Sequence, residues 1–321
     1  MVDSDSISTV GHPSEQSRFD VQGLSHIELL TPNPTGTLWF FKDVLGLIEL
    51  KQEGQSVYLR TYKDVPWTSL KVTEASEPGL GHAGWITTSK EALDRRVEAL
   101  QDSDFGEGWI DGDIGHGPAF QFSTPEGHNM EIHWEIDKAR DRIEQNTQMI
   151  NQPQKRPDKR ITPDRFDHLN LLAKEPDDIR QFMQNNLGLR LVEMIELSDG
   201  SVGGTWQTSF NKHHELATTH DRTEHGGRTH HVAWYFRESQ HVLDLCDQLR
   251  EHNIQIEVGP GKHGISESLF LYLYEPGGNR IEGYSQGYSV LDMNWDPVVW
   301  KEDDYDTNWW GKQTPEDFYV Y

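Results

Sequence analysis

The chain has 321 residues, a formal net charge of −24 and one cysteine. Its length suits two domains of roughly 150 residues, each able to bury a core. A surface this acidic repels nucleic acid and anionic lipid, and no apolar run approaches the roughly 20 residues that span a bilayer. The lone thiol, Cys246, allows no internal disulfide and fits a reducing cytoplasm. With 11 Trp, 10 Tyr and 12 Phe the chain is aromatic-rich and folded, not disordered. The carboxylate excess fits an ordinary soluble acidic protein or one adapted to high salt, and stability measured across salt concentrations separates the two.

Residues 1–20 are polar and acidic, without the basic and apolar stretches of a secretory signal, and read as a frayed leader. A first domain is expected over 21–140. It opens with the alternating strand Leu24-Ser25-His26-Ile27-Glu28-Leu29-Leu30 and a turn, Thr31-Pro32-Asn33-Pro34, whose proline suits the first turn of a helix. That helix should stop at Asp43-Val44-Leu45-Gly46-Leu47, where glycine can take the left-handed cap. A hairpin at Glu53-Gly54, the segment Gly81-His82-Ala83-Gly84-Trp85 and a second helix over Ser89–Gln101 follow. A Pro-x-Gly turn, Pro125-Glu126-Gly127, leads into a closing strand that carries Glu131.

Residues 141–162 are polar, contain Pro153 and Pro157, and read as a linker. The same series then repeats over 163–290, and such repeats reveal architecture. Phe166-Asp167-His168-Leu169-Asn170-Leu171-Leu172 echoes the first strand, Glu175-Pro176-Asp177 the helix start, and Asn186-Leu187-Gly188-Leu189 its end. Asp199-Gly200 makes the hairpin, His230-His231-Val232-Ala233-Trp234 the middle strand, Glu238–His252 the second helix with Cys246 as a buried thiol, and Pro276-Gly277-Gly278 the last turn before Glu282. Each half therefore reads as two tandem βαβββ modules, an α+β fold. The acidic tail, 291–321, carries Trp295, Trp300, Trp309 and Trp310, which argue for docking on a domain or a neighbouring subunit.

The stretch from Gly261 to Glu282 is the most informative. It contains His263, an apolar-Tyr pair ending at Tyr272, the turn Glu275-Pro276-Gly277-Gly278 and then Glu282. Together with the repeat, it resembles the type I extradiol catechol dioxygenases of the vicinal oxygen chelate superfamily over about residues 20–311. The resemblance implies metal ligands at His168, His231 and Glu282, the two-His-one-carboxylate facial triad that leaves positions open on non-haem Fe(II). Mn(II) shares these ligand preferences and stands as the alternative. The implied substrates are a catechol and O₂, and the implied assembly is a homo-oligomer, a tetramer in the family.

The same resemblance makes His214 the active-site acid/base, a role that histidine's near-neutral pKa suits, with His213 its neighbouring competitor. Tyr272 would hydrogen-bond a substrate oxygen, with Tyr274 a weaker candidate of the same strand parity. His263 would contact the other oxygen or line the pocket. Trp206 would form an apolar wall, and Asn170 would stand behind the ligands. His230 and His231 are adjacent on a strand and should point to opposite faces, so His230 is expected to support or pack. His26, His82 and Glu131 stand in matching register in the first half. They are expected to be packed or hydrogen-bonded ancestral residues rather than a working centre, and a metal count near two would say otherwise.

Relatives that take acidic catechols carry arginines before the Trp-Trp-Gly segment and before the Gly-Pro-Gly turn. Here those places hold Tyr305-Asp306-Thr307-Asn308 and Val258, so a neutral catechol is expected unless Arg228 or Arg237 reaches the pocket. The rival readings are a hydroxyphenylpyruvate-type dioxygenase of the same superfamily and a non-catalytic small-molecule binding module.

Overall fold

A computed structural model describes residues 19–141, 147–157, 161–223, 225–311 and 314–319. Residues 1–18 of the expected leader, and 142–146 and 158–160 of the expected linker, lie outside the described residues. The expected α+β arrangement of tandem βαβββ modules is present. The first half runs β1 (Val21–Thr31), α1 (Pro34–Trp39, continued by a π turn over Phe40–Val44), β2 (Ile48–Glu53), β3 (Ser56–Arg60), β4 (Leu70–Glu74), β5 (Gly79–Thr87), α2 (Lys90–Gln101), β6 (Gly106–Ile110), β7 (Ala119–Ser123) and β8 (Asn129–His133). The second runs β9 (Arg165–Ala173), α3 (Pro176–Leu187), β10 (Arg190–Glu196), β11 (Val202–Thr208), β12 (Leu216–His220), β13 (Arg228–Tyr235), α4 (Ser239–Glu251), β14 (Ile256–Lys262), β15 (Ser268–Tyr274) and β16 (Arg280–Gln286).

The local signals act as their chemistry requires. Pro34 and Pro176 open α1 and α3, where a missing N–H costs nothing. Gly46 and Gly188 follow the helices with φ of 75° and 77°, a conformation that a Cβ disfavours. Ser89 caps α2 by accepting from the backbone of Ala92.

Both sheets place the first strands of their two modules side by side. β1 pairs with β5 and β9 with β13, antiparallel in each case, and β4, β8, β12 and β16 run parallel to them on the outer sides. Alternation along these strands divides the chemistry between two faces. Leu169 and Leu171 enter the hydrophobic core while His168 and Asn170 face away from it, into a cavity. The apolar stripes of α3 (Ile179, Met183, Leu187) and α4 (Val242, Leu245, Leu249) cover the core face.

Trp234 lies fully buried in that core, with ring centroids of Phe41 and Phe166 at 5.1 and 6.1 Å. The Trp234→Ala variant is expected to lose about 3–5 kcal/mol of stability, as large aromatic truncations in cores do. Urea unfolding of the two proteins at one pH measures this.

Two features depart from simple alternation. A register shift between Thr229 and His231 bulges β13 against β9. It swings His230 to the same side as His231, Nδ1 to Nδ1 at 2.7 Å, so the expectation of opposite faces fails here. The tail adds a ninth strand, β17 (Val298–Lys301), parallel to β10. Trp295 donates to Val192 O and Trp300 to the Glu193 carboxylate, while Trp309 and Trp310 remain 59% and 65% exposed. Among the described residues no helix is long and apolar enough to cross a membrane.

Candidate metal centre

Register alone brings His168, His231 and Glu282 together. Ala233 of β13 lies opposite His168 of β9 on one side and Glu282 of β16 on the other. His231 stands two residues along β13 from Ala233, on the same face, and the small alanine leaves room between the ligands. The three donor atoms form a tight triangle. His168 Nε2 is 3.3 Å from His231 Nε2 and 2.9 Å from Glu282 Oε2, and His231 Nε2 is 3.2 Å from Glu282 Oε2. All three residues are at most 4% exposed.

The surrounding hydrogen bonds fix which nitrogen carries the proton. His168 Nδ1 donates to Asp167 Oδ2 at 3.0 Å, which leaves a lone pair on Nε2. His230 Nε2 donates to Phe318 O at 2.9 Å, so its Nδ1 accepts from His231 Nδ1 and again Nε2 keeps the lone pair. Such outward anchoring is how metal-binding imidazoles are held.

Both Glu282 oxygens are buried without a hydrogen bond of acceptable geometry, despite imidazoles this close. Lone pairs that converge without protons between them repel unless a cation joins them, and cis ligands about 2.1 Å from one ion stand about 3 Å apart. The donor set therefore fits a divalent cation. The protonation states of two of the three agree, while burial at His168 is outweighed by Asp167 and Glu282, which raise it, a shift that a cation at Nε2 would oppose. Burial lowers His231 to about 4, which keeps it neutral. Burial raises Glu282, but His231 and His168 outweigh it and hold the carboxylate well below its usual range.

The triangle opens onto a cavity of about 520 Å³, lined in part by Asn170, Trp206, His214, His263, Tyr272 and Tyr284. The ring of His214 lies 4.1 Å from that of His168. Its competitor His213 is turned away: His213 Nε2 donates to Glu193 Oε1 at 2.7 Å, and its Nδ1 accepts from His214 Nδ1 at 2.6 Å. That relay leaves the lone pair of His214 on Nε2. Tyr288 and the backbone of Ser266 also donate to Glu193 Oε1, which fixes the relay's far end.

Tyr272 Oη lies 3.0 Å from His263 Nε2, and His263 Nδ1 donates to Thr307 O at 2.6 Å. Burial and the Glu282 charge push the Tyr272 phenol well above 10, so it stays a proton donor. Asn170 Oδ1 accepts from Thr219, and Trp206 is half-buried on the wall. Tyr274 is held by Arg280 and does not line the cavity. The tail carbonyls of Thr307 and Phe318 thus brace His263 and His230.

Sequence reasoning passed over Asp167, Glu193 and Tyr284, the last with its ring 4.9 Å from that of His168. Tyr284, two residues from Glu282 along β16, could have been found by parity, whereas Asp167 is adjacent to His168 and parity assigns it to the other face. It also missed Arg222, which lines the cavity beside Glu302 and Asp306. Arg228 and Arg237 are committed elsewhere, to Asp221 at 2.7 Å and Asp164 at 2.9 Å. In the first half His26, His82 and Glu131 do meet, but in the company of His116 and His133, which the repeat did not reveal.

Comparison with known proteins gives the family. The family model of the Glyoxalase/Bleomycin resistance protein/Dioxygenase superfamily matches residues 165–282. A metapyrocatechase of Geobacillus stearothermophilus is 43% identical over 94% of this chain and 93% of its own. A manganese-dependent 2,3-dihydroxybiphenyl 1,2-dioxygenase of Geobacillus genomosp. 3 is 33% identical over 92% of this chain and 95% of its own. Among solved structures, homoprotocatechuate 2,3-dioxygenase from Brevibacterium fuscum, in complex with 3,4-dihydroxyphenylacetate, superposes with a TM-score of 0.80 at 25% identity over 97% of this chain and 93% of that one. From the fold, the convergent His-His-Glu group and these likenesses together, the chain belongs to the type I extradiol catechol dioxygenases of the vicinal oxygen chelate superfamily.

Proposed function

We propose that the protein cleaves a neutral catechol with O₂ beside the diol, with a divalent metal held by His168, His231 and Glu282. Catechol and one O₂ combine to give 2-hydroxymuconic semialdehyde, with every atom retained. The observation that carries this reading is the triangle of His168, His231 and Glu282 donor atoms, 2.9–3.3 Å apart, on a cavity of about 520 Å³. Iron(II) suits the ligand set, and manganese(II) has the same preference. When bound there, the cation would supply Lewis acidity toward the catechol and a redox-active centre for its reaction with O₂.

The chain's own residues do the rest. Burial and then the His168 and His213 charges hold His214 well below the usual imidazole value, so it is neutral at rest; its Nε2 can take a proton and return it, with the Glu193–His213 relay holding its other nitrogen protonated. Tyr272 presents its hydroxyl, and His263 behind it accepts at Nε2, since its Nδ1 donates to Thr307 O. Trp206 lines an apolar wall against which a ring can lie. The buried setting keeps these interactions strong.

Substrate charge is the finer part of the reading. Among the described residues the cavity lining includes Glu302 and Asp306 against one arginine or lysine, Arg222. Catechol or an alkyl- or halocatechol is expected to exceed 3,4-dihydroxyphenylacetate in kcat/KM by more than about ten-fold, since like-charge juxtaposition costs several kcal/mol. Steady-state oxygen uptake with both substrates tests this, and equal values would contradict it. The exposed Trp309 and Trp310 support a homo-oligomer, and the single cysteine suits a cytoplasmic setting.

A further inference from the structure

The two halves repeat not only their strands but the way their imidazoles are held. In the first half Ser25 Oγ donates to Gly84 O and accepts from His26 Nδ1 at 2.9 Å and His133 Nε2 at 2.8 Å. His82 Nδ1 donates to Glu28 Oε2 at 2.8 Å, and His116 Nδ1 to Gly117 O at 2.8 Å. The second nitrogen, Nε2, of His26, His82 and His116, and Nδ1 of His133, therefore carry lone pairs, and donor atoms of His26, His133 and Glu131 lie within 4.8 Å of one another.

These lone pairs converge on the carboxylate of Glu131, which is 1% exposed. His26 Nε2 is 3.0 Å from His82 Nε2 and 3.2 Å from Glu131 Oε1. His116 Nε2 is 3.1 Å from Glu131 Oε1, and His82 Nε2 is 3.8 Å from Oε2. A second, independent observation concerns direction. Glu131 Oε1 and His116 Nε2 are both buried with no hydrogen bond of acceptable geometry, although they are near neighbours. A shared proton would draw them onto an N–H···O line. The Glu282 oxygens show the same mismatch. Donors about 2.1 Å from a tetrahedral ion stand about 3.4 Å apart, close to the spacings here.

The cavity beside these residues is about 10 Å³, far too small for a substrate. The side chains of Tyr58, Leu70, Lys71 and Ile114 help to line it, and the ring of His133 stacks on that of His116 with centroids 4.5 Å apart. Closed sites with no open ligand position are structural.

We propose that the first half holds a second divalent cation, of the zinc class with nitrogen and oxygen ligands, on His26, His82, His116 and Glu131. The site is non-catalytic and locks the first domain's sheet. Its anchors, Ser25 and Glu28, set the tautomers as Asp167 and His230 do in the second half.

Zinc chloride is the probe. The full chain, stripped with chelator, is titrated with zinc, desalted and counted by elemental mass spectrometry. The expected counts are two per chain for the unaltered protein, one for Glu131→Gln, one for Glu282→Gln and none for the double variant. One zinc in the unaltered chain, or two in a folded Glu131→Gln variant, would overturn the proposal. If Glu131→Gln does not fold, His116→Gln is counted in its place, with the same two outcomes. Because Glu282→Gln isolates the first-half site, its count stands whether or not the chain cleaves catechols.

Discussion

The Glu282→Gln variant is expected to fold, to lose the metal of the second half, and to cleave catechol more than about 100-fold more slowly, beyond the 10–100-fold cost of losing even an outer partner of a metal ligand. The amide matches the carboxylate in shape but carries no charge, so two neutral imidazoles would face the cation alone. Folding should survive for a physical reason. The carboxylate is buried and neither oxygen has a well-formed hydrogen bond, so its replacement removes a desolvation cost together with its attraction to His231 and His168. The metal-free variant is therefore expected to melt within a few degrees of the metal-free parent, roughly the shift of a 1 kcal/mol change. Calorimetry with and without chelator, beside oxygen uptake, reads both parts.

The second large effect belongs to His214. His214→Gln is expected to keep its metal and its catechol KM while kcat falls by about 10²–10⁴-fold, the usual range for a lost general acid/base. Glutamine can hydrogen-bond but cannot carry a proton through the reaction. The contrast with Glu282→Gln is diagnostic: one variant loses metal and rate together, the other loses rate alone. An unchanged kcat would remove His214 from the reaction and leave it a wall of the cavity. A parallel loss of metal would make its contact with the His168 ring, 4.1 Å between centroids, its main contribution.

Much of this was legible in the sequence because the signals are local. Period-two strands put His168 and Asn170 on one face and Leu169 and Leu171 on the other. Proline at the helix starts and glycine after Leu45 and Leu187 marked boundaries to within a residue or two. The likeness between the halves gave the modular order, and the segment from His263 to Glu282 gave the family.

What was not legible depends on contacts between distant segments. The bulge at His230 breaks alternation, and no residue type announces it. His116 lies in the loop between β6 and β7, where no periodicity tells which way a side chain points, so its meeting with Glu131 appears only in three dimensions. The relay from Glu193 through His213 joins β10 to the loop before β12. Arg222 reaches the cavity from beyond the end of β12, which an argument from two missing arginines could not anticipate. The tail shows both cases. Its tryptophans signalled docking, but that Thr307 and Phe318 brace two histidines through backbone carbonyls leaves no mark in residue type.

The most direct measurement is oxygen uptake by the Fe(II)-loaded protein, prepared without air and then given catechol in a closed aerobic cell. One O₂ should disappear for each catechol, with a yellow semialdehyde appearing at the same rate, and both signals should vanish in Glu282→Gln. A folded, metal-loaded protein that takes up no oxygen, or a Glu282→Gln variant that keeps the parent's rate, would contradict the assignment of His168, His231 and Glu282 to the reacting metal.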